Sequence, residues 1–288
     1  MNQVTAIIPT YNNIKGLKYV VGFLQKRKIP TIVVDNKPDD KKLHFAKATR
    51  GKADVVYLPQ EENLGFARAV NKASKHVKTE WMLILNDDIK FHNPETIEKL
   101  YKFVIDNDLM AATPIFVRAD GHIENCGYQV LPYGRIKLFK NPPTRQLANQ
   151  PTIDGLTAAC LLINTELFHD THGFDNSFFA YLEDVDFFLR LKRVGIKFGV
   201  CPDLTITHYH MTTSHTMKSF KQWQDLKNWI RLIIKFPDFF PRNPRNLIAI
   251  FVERGRNLSG YLKSKFDILR VSLVRDPSIP LSGTRDDN

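Results

Sequence analysis

The sequence predicts an α/β protein built on a largely parallel sheet. Three observations support this: four short apolar runs are continuous rather than alternating, each is followed by a segment with helical spacing, and polar residues follow directly on three of them. Strands buried on both faces have this continuous pattern, and helices between them imply right-handed crossovers. The four runs are TAIIP (5–9), TIVVD (31–35), VVYL (55–58) and WMLIL (81–85).

Helical spacing fills the intervals between these predicted strands. Apolar residues recur at helical positions over 14–24, a polar helical stretch follows near 41–49, and a third series extends from Phe66 to Val77. Asn93 followed by Pro94 is typical of an N-cap with proline in the first turn. We therefore expect a fourth helix from there through Val104.

The pattern changes after residue 115. From Phe116 to about Pro151 the sequence is rich in turn residues, which predicts hairpins. GLTAACLLI (155–163) predicts another buried strand, and EDVDFFLRLKRVG (183–195) predicts a helix closed by glycine. KFGVC (197–201) and LTITHYH (204–210) predict two more short strands.

Beyond Thr212 the chain becomes basic, aromatic and helical. Two helical stretches are separated by the proline-rich segment FPDFFPRNPRN (236–246). In the first stretch, apolar side chains interleave with cations: Trp223, Trp229, Ile230, Ile233 and Ile234 with Lys227, Arg231 and Lys235. A helix of this kind binds a membrane surface, or it packs its apolar stripe on the rest of the protein and leaves its cations solvated.

Composition narrows the class of protein. The chain has 288 residues, 41 Lys and Arg against 30 Asp and Glu, and a net charge of +11, which favours anionic partners such as nucleic acid, a phosphorylated substrate or an acidic membrane face. Three cysteines without paired spacing predict reduced thiols in an intracellular setting. The sequence begins without a signal-peptide pattern, and no apolar run approaches the roughly 20 residues that span a bilayer.

Polar residues follow the first, second and fourth predicted strands. They are Thr10-Tyr11-Asn12, Asp35-Asn36 and Asn86-Asp87-Asp88. Such residues can simply end strands and begin turns, but open α/β sheets bind ligands beyond the carboxyl ends of their strands. The pair Asp87-Asp88 offers the hard oxygen ligands that Mg²⁺ or Mn²⁺ prefers, and such an ion can bridge a diphosphate. The sequence contains neither a P-loop nor a GxGxxG motif, so neither a nucleoside triphosphatase nor a dinucleotide-binding site is supported.

Two further segments could carry chemistry. In ENLGFAR (62–68), Asn63 and Gly65 precede a helix whose N-terminus and Arg68 suit phosphate oxygens; the alternative is a polar turn with a solvated arginine. Glu183-Asp184 opens a later helix and provides a candidate general base. The alternative is that these acids only offset the helix macrodipole.

His208 and His210 lie two residues apart in a predicted strand and so share a face. A single histidine is often structural or solvated. Beside a carboxylate, a neutral imidazole is also a suitable ligand for Mn²⁺.

Taken in order, these segments resemble family 2 inverting glycosyltransferases of the GT-A fold, most closely the rhamnosyltransferase-like branch. The resemblance covers about residues 4–210. The segments that carry it are IIPTYNN, VVDN, ENLGFARAVNKA, LILNDD, GFDNSFFAYLEDVDFFLRLKRVG and ITHYH.

The resemblance implies roles for the donor residues. Thr10, Tyr11 and Asp35 would contact the nucleoside, with Asp35 facing the base and Tyr11 near its ring. Arg68 would hold the base or the diphosphate region. Asn63, Gly65 and Asp87 are further candidates for binding the nucleotide.

The resemblance also implies a metal site and a base. Asp88 would ligate Mn²⁺ or Mg²⁺ as the last residue of a DXD-like motif, and His208 would complete the metal shell. Asp184, with Glu183 beside it, would be the catalytic base. The first position of the DXD-like motif is Asn86 instead of aspartate.

The expected organisation is a catalytic domain over 1–212 and a C-terminal helical extension over 213–288. Within the first, 1–115 would bind the nucleotide sugar and 116–212 the acceptor. The expected partners are a nucleotide-diphosphate sugar and a glycan or lipid-linked saccharide. The expected location is cytoplasmic, with peripheral contact at the inner face of the membrane through the C-terminal helices as an open alternative.

Two other functions remain open at this point. A nucleic-acid-binding protein would use the basic surface, although no nucleic-acid motif is recognisable and no nucleic-acid partner is expected. A nucleotidyltransferase on a related sheet would explain the acidic rim and would release pyrophosphate.

Overall fold

The first half of the chain alternates strands and helices as predicted. The computed structural model describes residues 3–49, 55–141, 153–209 and 215–274. The first four strands are β1 (Val4–Thr10), β2 (Thr31–Asp35), β3 (Val55–Pro59) and β4 (Trp81–Leu85). Between them lie α1 (Ile14–Gln25), α2 (Asp40–Thr49) and α3 (Gly65–Ser74).

The second half adds strands of both directions. It contains β5 (Ile89–Phe91), α4 (Thr96–Asp106), β6 (Ala111–Val117) and β7 (Ile123–Asn125). A separate hairpin is formed by β8 (Tyr128–Leu131) and β9 (Arg135–Leu138). The remaining elements are β10 (Cys160–Asn164), α5 (Thr165–Asp170), α6 (Glu183–Arg193), β11 (Phe198–His208), α7 (His215–Lys235) and α8 (Pro244–Val274).

Nine of the described strands form one sheet with the path β3-β2-β1-β4-β10-β6-β11-β5, and β7 pairs with β6 at its side. Neighbouring strands from β3 to β4 are parallel, and β6 and β11 are parallel to each other. β10 is antiparallel to both β4 and β6, so these two groups point in the same direction. The described part of the chain thus has the mostly parallel sheet that the sequence predicts.

The register of the sheet brings the predicted polar rim together. Thr10 at the end of β1 lies opposite Asp35 at the end of β2. Asn13 caps the next helix, because its side chain accepts a hydrogen bond of 3.0 Å from the backbone N–H of Gly16.

Three boundaries differ from the sequence predictions. The strand predicted over 155–163 begins at Cys160, because Ala158 and Ala159 form a turn before it. α4 begins at Thr96 instead of at Pro94, because Asn93 uses its side chain and its carbonyl for a turn with Glu95 and Thr96. Residues 198–201 of KFGVC and 204–208 of LTITHYH belong to a single strand, β11, with a register shift between Cys201 and Thr205. Pro202 has no backbone N–H for the ladder, which explains why the interruption is a bulge inside the strand.

The core lies on both faces of the sheet. One cluster packs α1 and α4 against it, and a second packs α3 and α6 on the other face. Cys126, Cys160 and Cys201 are all buried and unbridged. Within the described residues, none of the helices combines the length and the hydropathy required to cross a membrane.

A third cluster attaches the C-terminal helices. Trp229, Leu232 and Phe236 pack with Phe178 and with residues of β8 and α6. Arg231 donates to the carbonyl of Ser177, and Lys235 lies 2.6 Å from Asp186. α7 therefore packs on the rest of the protein through Trp229, whereas Trp223, Ile230 and Ile234 of the predicted apolar stripe stay exposed. Arg231 and Lys235 bind protein groups, so the packing alternative, which left these cations solvated, is met only in part.

Candidate functional site

The ends of β1 and β4 meet at a network centred on Asp87. Thr10 donates its hydroxyl to Asp87 Oδ2 at 2.6 Å, and Asn13 Nδ2 donates to the carbonyl of Asp87 at 2.8 Å. Gly16 is required here, because a Cβ at this position would lie 1.8 Å from the same carbonyl. Burial, together with the neighbouring charge of Asp88, raises the pKa of Asp87 to about 6. Thr10 and Asp87 thus use their side chains to hold two strand ends together.

The three predicted metal residues converge. His208 Nε2 lies 3.1 Å from Asp88 Oδ1, and Asn86 Nδ2 lies 3.4 Å from His208 Nε2. The pairing of Ile89 with His208 and a hydrogen bond from Tyr209 N to Asp88 O fix this arrangement. His210, which was predicted to share a strand face with His208, lies outside the described residues.

These donors fit a hard divalent cation with an incomplete protein shell. A carboxylate, an imidazole and an amide suit Mn²⁺ or Mg²⁺ when further oxygens come from a ligand. No group of three or more His, Cys, Asp or Glu side chains suited to a metal occurs in the described ranges. A metal bound at Asp88 would therefore depend on donors such as phosphate oxygens.

A cavity of about 530 Å³ lies against this rim on the side of α1. Asp87 and Asp88 line it, together with Lys15, Lys90 and Tyr209, whereas Asp184 does not. The space beside Asp88 is thus lined by cations as well as by acids.

The carboxylate of Asp35 is bound by other side chains in the protein interior. It is fully buried, Lys42 Nζ lies 2.6 Å from its Oδ1, and Tyr57 donates its hydroxyl to Oδ2. Lys42 also donates to the carbonyl of Tyr11 at 2.6 Å. Burial and the hydrogen bond to Asp35 raise the pKa of Tyr57. A nucleobase could reach this carboxylate only if these partners moved, whereas the ring of Tyr11 is exposed on the rim.

The segment before α3 is tied to the loop before α6. Gly65 has φ +75°, and a Cβ there would lie 2.0 Å from the carbonyl of Phe179, which accepts a hydrogen bond from Phe66 N. Asn63 accepts from Gly65 N at 2.9 Å. The group that lies close to Gly65 is thus the protein's own backbone at Phe179. Arg68 is exposed and donates to the carbonyl of Asn176 at 3.1 Å.

A strained turn positions the acids of α6. Tyr181 and Leu182 both have positive φ values, +68° and +67°, directly before the helix. Asn228 of α7 fastens this turn by donating to the carbonyls of Ala180 and Tyr181 at 3.0 and 2.7 Å. The helix therefore begins at Glu183 with its first carboxylates in a fixed place.

Asp184 and Glu183 have different surroundings. Asp184 is partly exposed and accepts hydrogen bonds from Val185 N at 2.8 Å and Ala158 N at 3.3 Å. Glu183 is buried, and its Oε2 has no hydrogen-bond partner among the described residues. Burial raises the pKa of both groups, and the charge of Asp184 raises that of Glu183 further.

Two adjacent residues, Ala158 and Ala159, connect the predicted metal residues to Asp184. Ala159, just before β10, accepts a hydrogen bond of 2.9 Å from Asn86 N, while Ala158 donates to Asp184. Asn86 and Asp184, which are almost a hundred positions apart in the sequence, are therefore both hydrogen-bonded to this pair of alanines. The site brings together the Asn86–Asp88 segment, His208 and Asp184.

Several residues of the site were not predicted. Lys42 lies in a predicted helical stretch and Tyr57 in a predicted strand, but nothing in the sequence distinguishes either residue from its neighbours. Asn13 precedes an apolar helical series, so the N-cap preference could have identified it. Asp186, in the first turn of α6, is fully buried and pairs with Arg190 and Lys235.

The match to a family model covers Thr10, Asp35 and the Asn86–Asp88 segment but ends before Asp184 and His208. The sequence model of the family described as glycosyl transferase family 2 matches residues 5–171. The rhamnosyltransferase WbbL of Escherichia coli is 24% identical over 204 residues, which is 65% of this chain and 76% of that protein.

A second relative is the N-acetylglucosaminyl-diphospho-decaprenol L-rhamnosyltransferase of Mycobacterium tuberculosis. It is 26% identical over 182 residues, which is 54% of this chain and 59% of that protein. The chain thus spans about three fifths of the length of this relative.

Among solved structures, GalNAc-T7 with UDP, GalNAc and Mn²⁺ superposes with a TM-score of 0.63. The sequences are 12% identical, and the match covers 81% of this chain and 48% of that one. This likeness concerns the fold, and it confirms the predicted GT-A architecture.

Proposed function

Because this chain belongs to glycosyl transferase family 2, in its rhamnosyltransferase-like branch, we propose that it transfers a sugar from a nucleotide-diphosphate donor to a hydroxyl group with inversion. One observation carries this proposal. The backbone N–H of Asn86 donates to the carbonyl of Ala159, and the carboxylate of Asp184 accepts from the backbone N–H of the adjacent residue, Ala158. A diphosphate-binding rim and a candidate base are thereby held next to each other, as a direct displacement requires.

Asp184 is the proposed general base. An acceptor hydroxyl is a poor nucleophile near neutral pH, so a positioned carboxylate must take its proton while the new bond forms. The hydrogen bonds from Val185 N and Ala158 N orient this carboxylate, and burial makes it a stronger base than an ordinary aspartate. A single base on the face opposite the leaving group gives inversion at the anomeric carbon.

Asp88, His208 and Asn86 are the proposed residues for a divalent metal, Mn²⁺ or Mg²⁺. When bound, such an ion stabilises the negative charge that develops on the departing diphosphate. GalNAc-T7, which shares the fold, was crystallised with Mn²⁺ and UDP. Arg68 is exposed in the first turn of α3 and can donate to the same phosphates.

The nucleoside is proposed to bind at the ends of β1 and β2. Tyr11 offers an exposed ring for stacking. Lys42 joins the two strand ends, because it pairs with Asp35 and donates to the carbonyl of Tyr11, while the hydroxyl of Thr10 is held by Asp87. The acceptor is proposed to be a glycan or a lipid-linked saccharide. The mycobacterial relative, named for a decaprenol-linked acceptor, supports the second of these.

Nucleotide binding should depend on the metal. We expect UDP, GDP or dTDP to raise the melting temperature in the presence of Mn²⁺, because a ligand at about 100 times its Kd stabilises the folded state by about 2.7 kcal/mol. Thermal-shift measurements with and without EDTA test this. Asp88→Asn should lose the Mn²⁺-dependent part, whereas Asp170→Asn, on the surface at the end of α5, should keep it. A Mn²⁺-independent shift for every nucleotide would refute the metal site.

Activity should fall on acidification at a higher pH than an ordinary aspartate would give. The base must be ionised to accept a proton, and its pKa is raised by burial, so activity is present above this pKa and is lost as pH falls through it. The measurement is kcat/KM from about pH 5 to 8.5. Because Asp87 titrates near pH 6, nucleotide affinity is measured over the same range, and it should change less than kcat/KM. A flat activity profile down to pH 5 would contradict the role of Asp184.

The reaction product separates this proposal from the nucleotidyltransferase alternative. A glycosyltransferase releases a nucleoside diphosphate, whereas a nucleotidyltransferase releases pyrophosphate. Incubation with a panel of nucleotide sugars and acceptor glycans, followed by chromatography of the released nucleotide, identifies which of the two is formed.

A further inference from the structure

One face of α8 exposes a continuous series of large apolar side chains. The exposed fractions extend from 43% to 79%, with Phe251 the most exposed. Spacings of three and four residues place these side chains on one side of the helix. From the first to the last of them the helix extends about 30 Å. The series is Leu247, Ile248, Phe251, Val252, Leu258, Leu262 and Phe266.

The opposite face of α8 is fixed to the rest of the protein. Arg254 donates to the carbonyl of Gly134, and its guanidinium lies 5.1 Å from the ring centroid of Trp229. Asn246 Nδ2 donates to the carbonyl of Pro132 at 2.9 Å. The rings of Trp223 and Tyr261 lie 5.4 Å apart. These contacts determine which face of α8 points outward.

The exposed face is also positively charged. Arg245, Arg256, Lys263 and Lys265 are exposed along α8. Among the side chains of α8 that the structure describes, the only acidic one is that of Glu253. It is 15% exposed and lies 3.1 Å from Arg256. The outward face therefore combines apolar side chains with an excess of positive charge.

This combination favours an anionic bilayer over a second copy of the chain. The buried core of a protein interface is depleted in charged residues, and two such faces would place their cations against each other. An anionic lipid surface complements the cations and accepts the apolar side chains at the boundary of headgroups and acyl chains.

We propose that the outer face of α8 binds the surface of an anionic lipid bilayer. Phe251, Ile248 and Phe266 enter the acyl boundary, and Arg245 and Lys263 lie at the level of the headgroups. This binding does not depend on sugar transfer, so it can be tested whether or not the proposed activity is found.

Vesicle flotation of the full chain tests the proposal. We expect wild type to float with vesicles that contain about 30 mol % phosphatidylglycerol and to stay largely in solution with pure phosphatidylcholine. Ile248→Gln/Phe251→Gln/Phe266→Gln should lower the partition coefficient at least about tenfold. Arg245→Gln/Lys263→Gln should lower it by about fivefold per cation. Ile105→Gln, on α4, removes an apolar side chain that is 51% exposed outside this face, and it should bind like wild type.

Site-specific labelling gives a second measurement of membrane binding, and it does not depend on a variant that binds more weakly. Because the native cysteines are buried, Phe251→Cys can be labelled selectively with an environment-sensitive dye. Its emission should shift to the blue with anionic vesicles, whereas the dye on Ile105→Cys should not respond.

Three results would overturn the proposal. Wild type could remain in solution with anionic vesicles, or the apolar triple variant could float like wild type. Light scattering could also reveal a dimer that the triple variant loses, without vesicle binding, which would assign the face to a second copy.

Discussion

Replacing Asp184 with asparagine should lower the rate of sugar transfer about 10²–10⁴-fold, the usual contribution of a general base. Asparagine has the same shape and can still accept the hydrogen bond from Val185 N, but it cannot take a proton. The fold and the binding of the nucleoside diphosphate should therefore be preserved. Transfer is measured with the donor found in the nucleotide screen, and binding is measured by thermal shift on the same preparation.

The control is Asp170→Asn, which makes the same chemical change at an exposed position outside the site. It should keep wild-type activity. The acid limb of the pH profile should also disappear from the residual activity of Asp184→Asn. Turnover within about threefold of wild type would remove Asp184 from the mechanism.

Replacing Lys42 with methionine should destabilise the protein by about 3–5 kcal/mol, because it leaves the buried carboxylate of Asp35 without its ion-pair partner. For a chain of this size such a loss lowers the melting temperature by roughly 10 °C. Urea and thermal unfolding measure the change. Lys41→Met, one residue earlier and exposed, should stay within about 0.5 kcal/mol of wild type.

A double variant distinguishes the ion pair from lost packing. Asp35→Asn/Lys42→Met removes both charges, so it should recover part of the stability lost in Lys42→Met. If the double variant were less stable than Lys42→Met by the full effect of Asp35→Asn alone, the two side chains would be energetically independent.

The sequence predicts the strands and the positions of the rim residues because both are local features. A continuous apolar run such as WMLIL indicates a buried strand, and the residues after it must lie at the strand end. The bulge in β11 was not predicted, because pairing on both sides of Pro202 with one neighbouring strand is a tertiary property. For the same reason, the first turn of α4 was assigned two residues too early.

The sequence does not predict which rim side chains face the protein and which face the cleft. Asp35 and Asp88 follow their strands in the same way, yet Asp35 is enclosed by Lys42 and Tyr57, and Asp88 lies beside His208. Lys42 and Tyr57 follow Asp35 by 7 and 22 residues, His208 lies far from Asp88 in the sequence, and no periodicity indicates any of these partners. The roles assigned to individual residues, and the domain boundary at 212/213, therefore stay predictions.

The hold of α7 on the turn before Glu183 has a practical consequence for any shortened form of the protein. Residues beyond 212 look dispensable in the sequence, yet Asn228 is fully buried and secures the two carbonyls that precede the proposed base. A fragment trimmed near residue 212 would lose this clamp together with Trp229, Phe236 and Phe240. A minimal catalytic unit should therefore be designed to end after Phe240, with α8 as the first segment to delete.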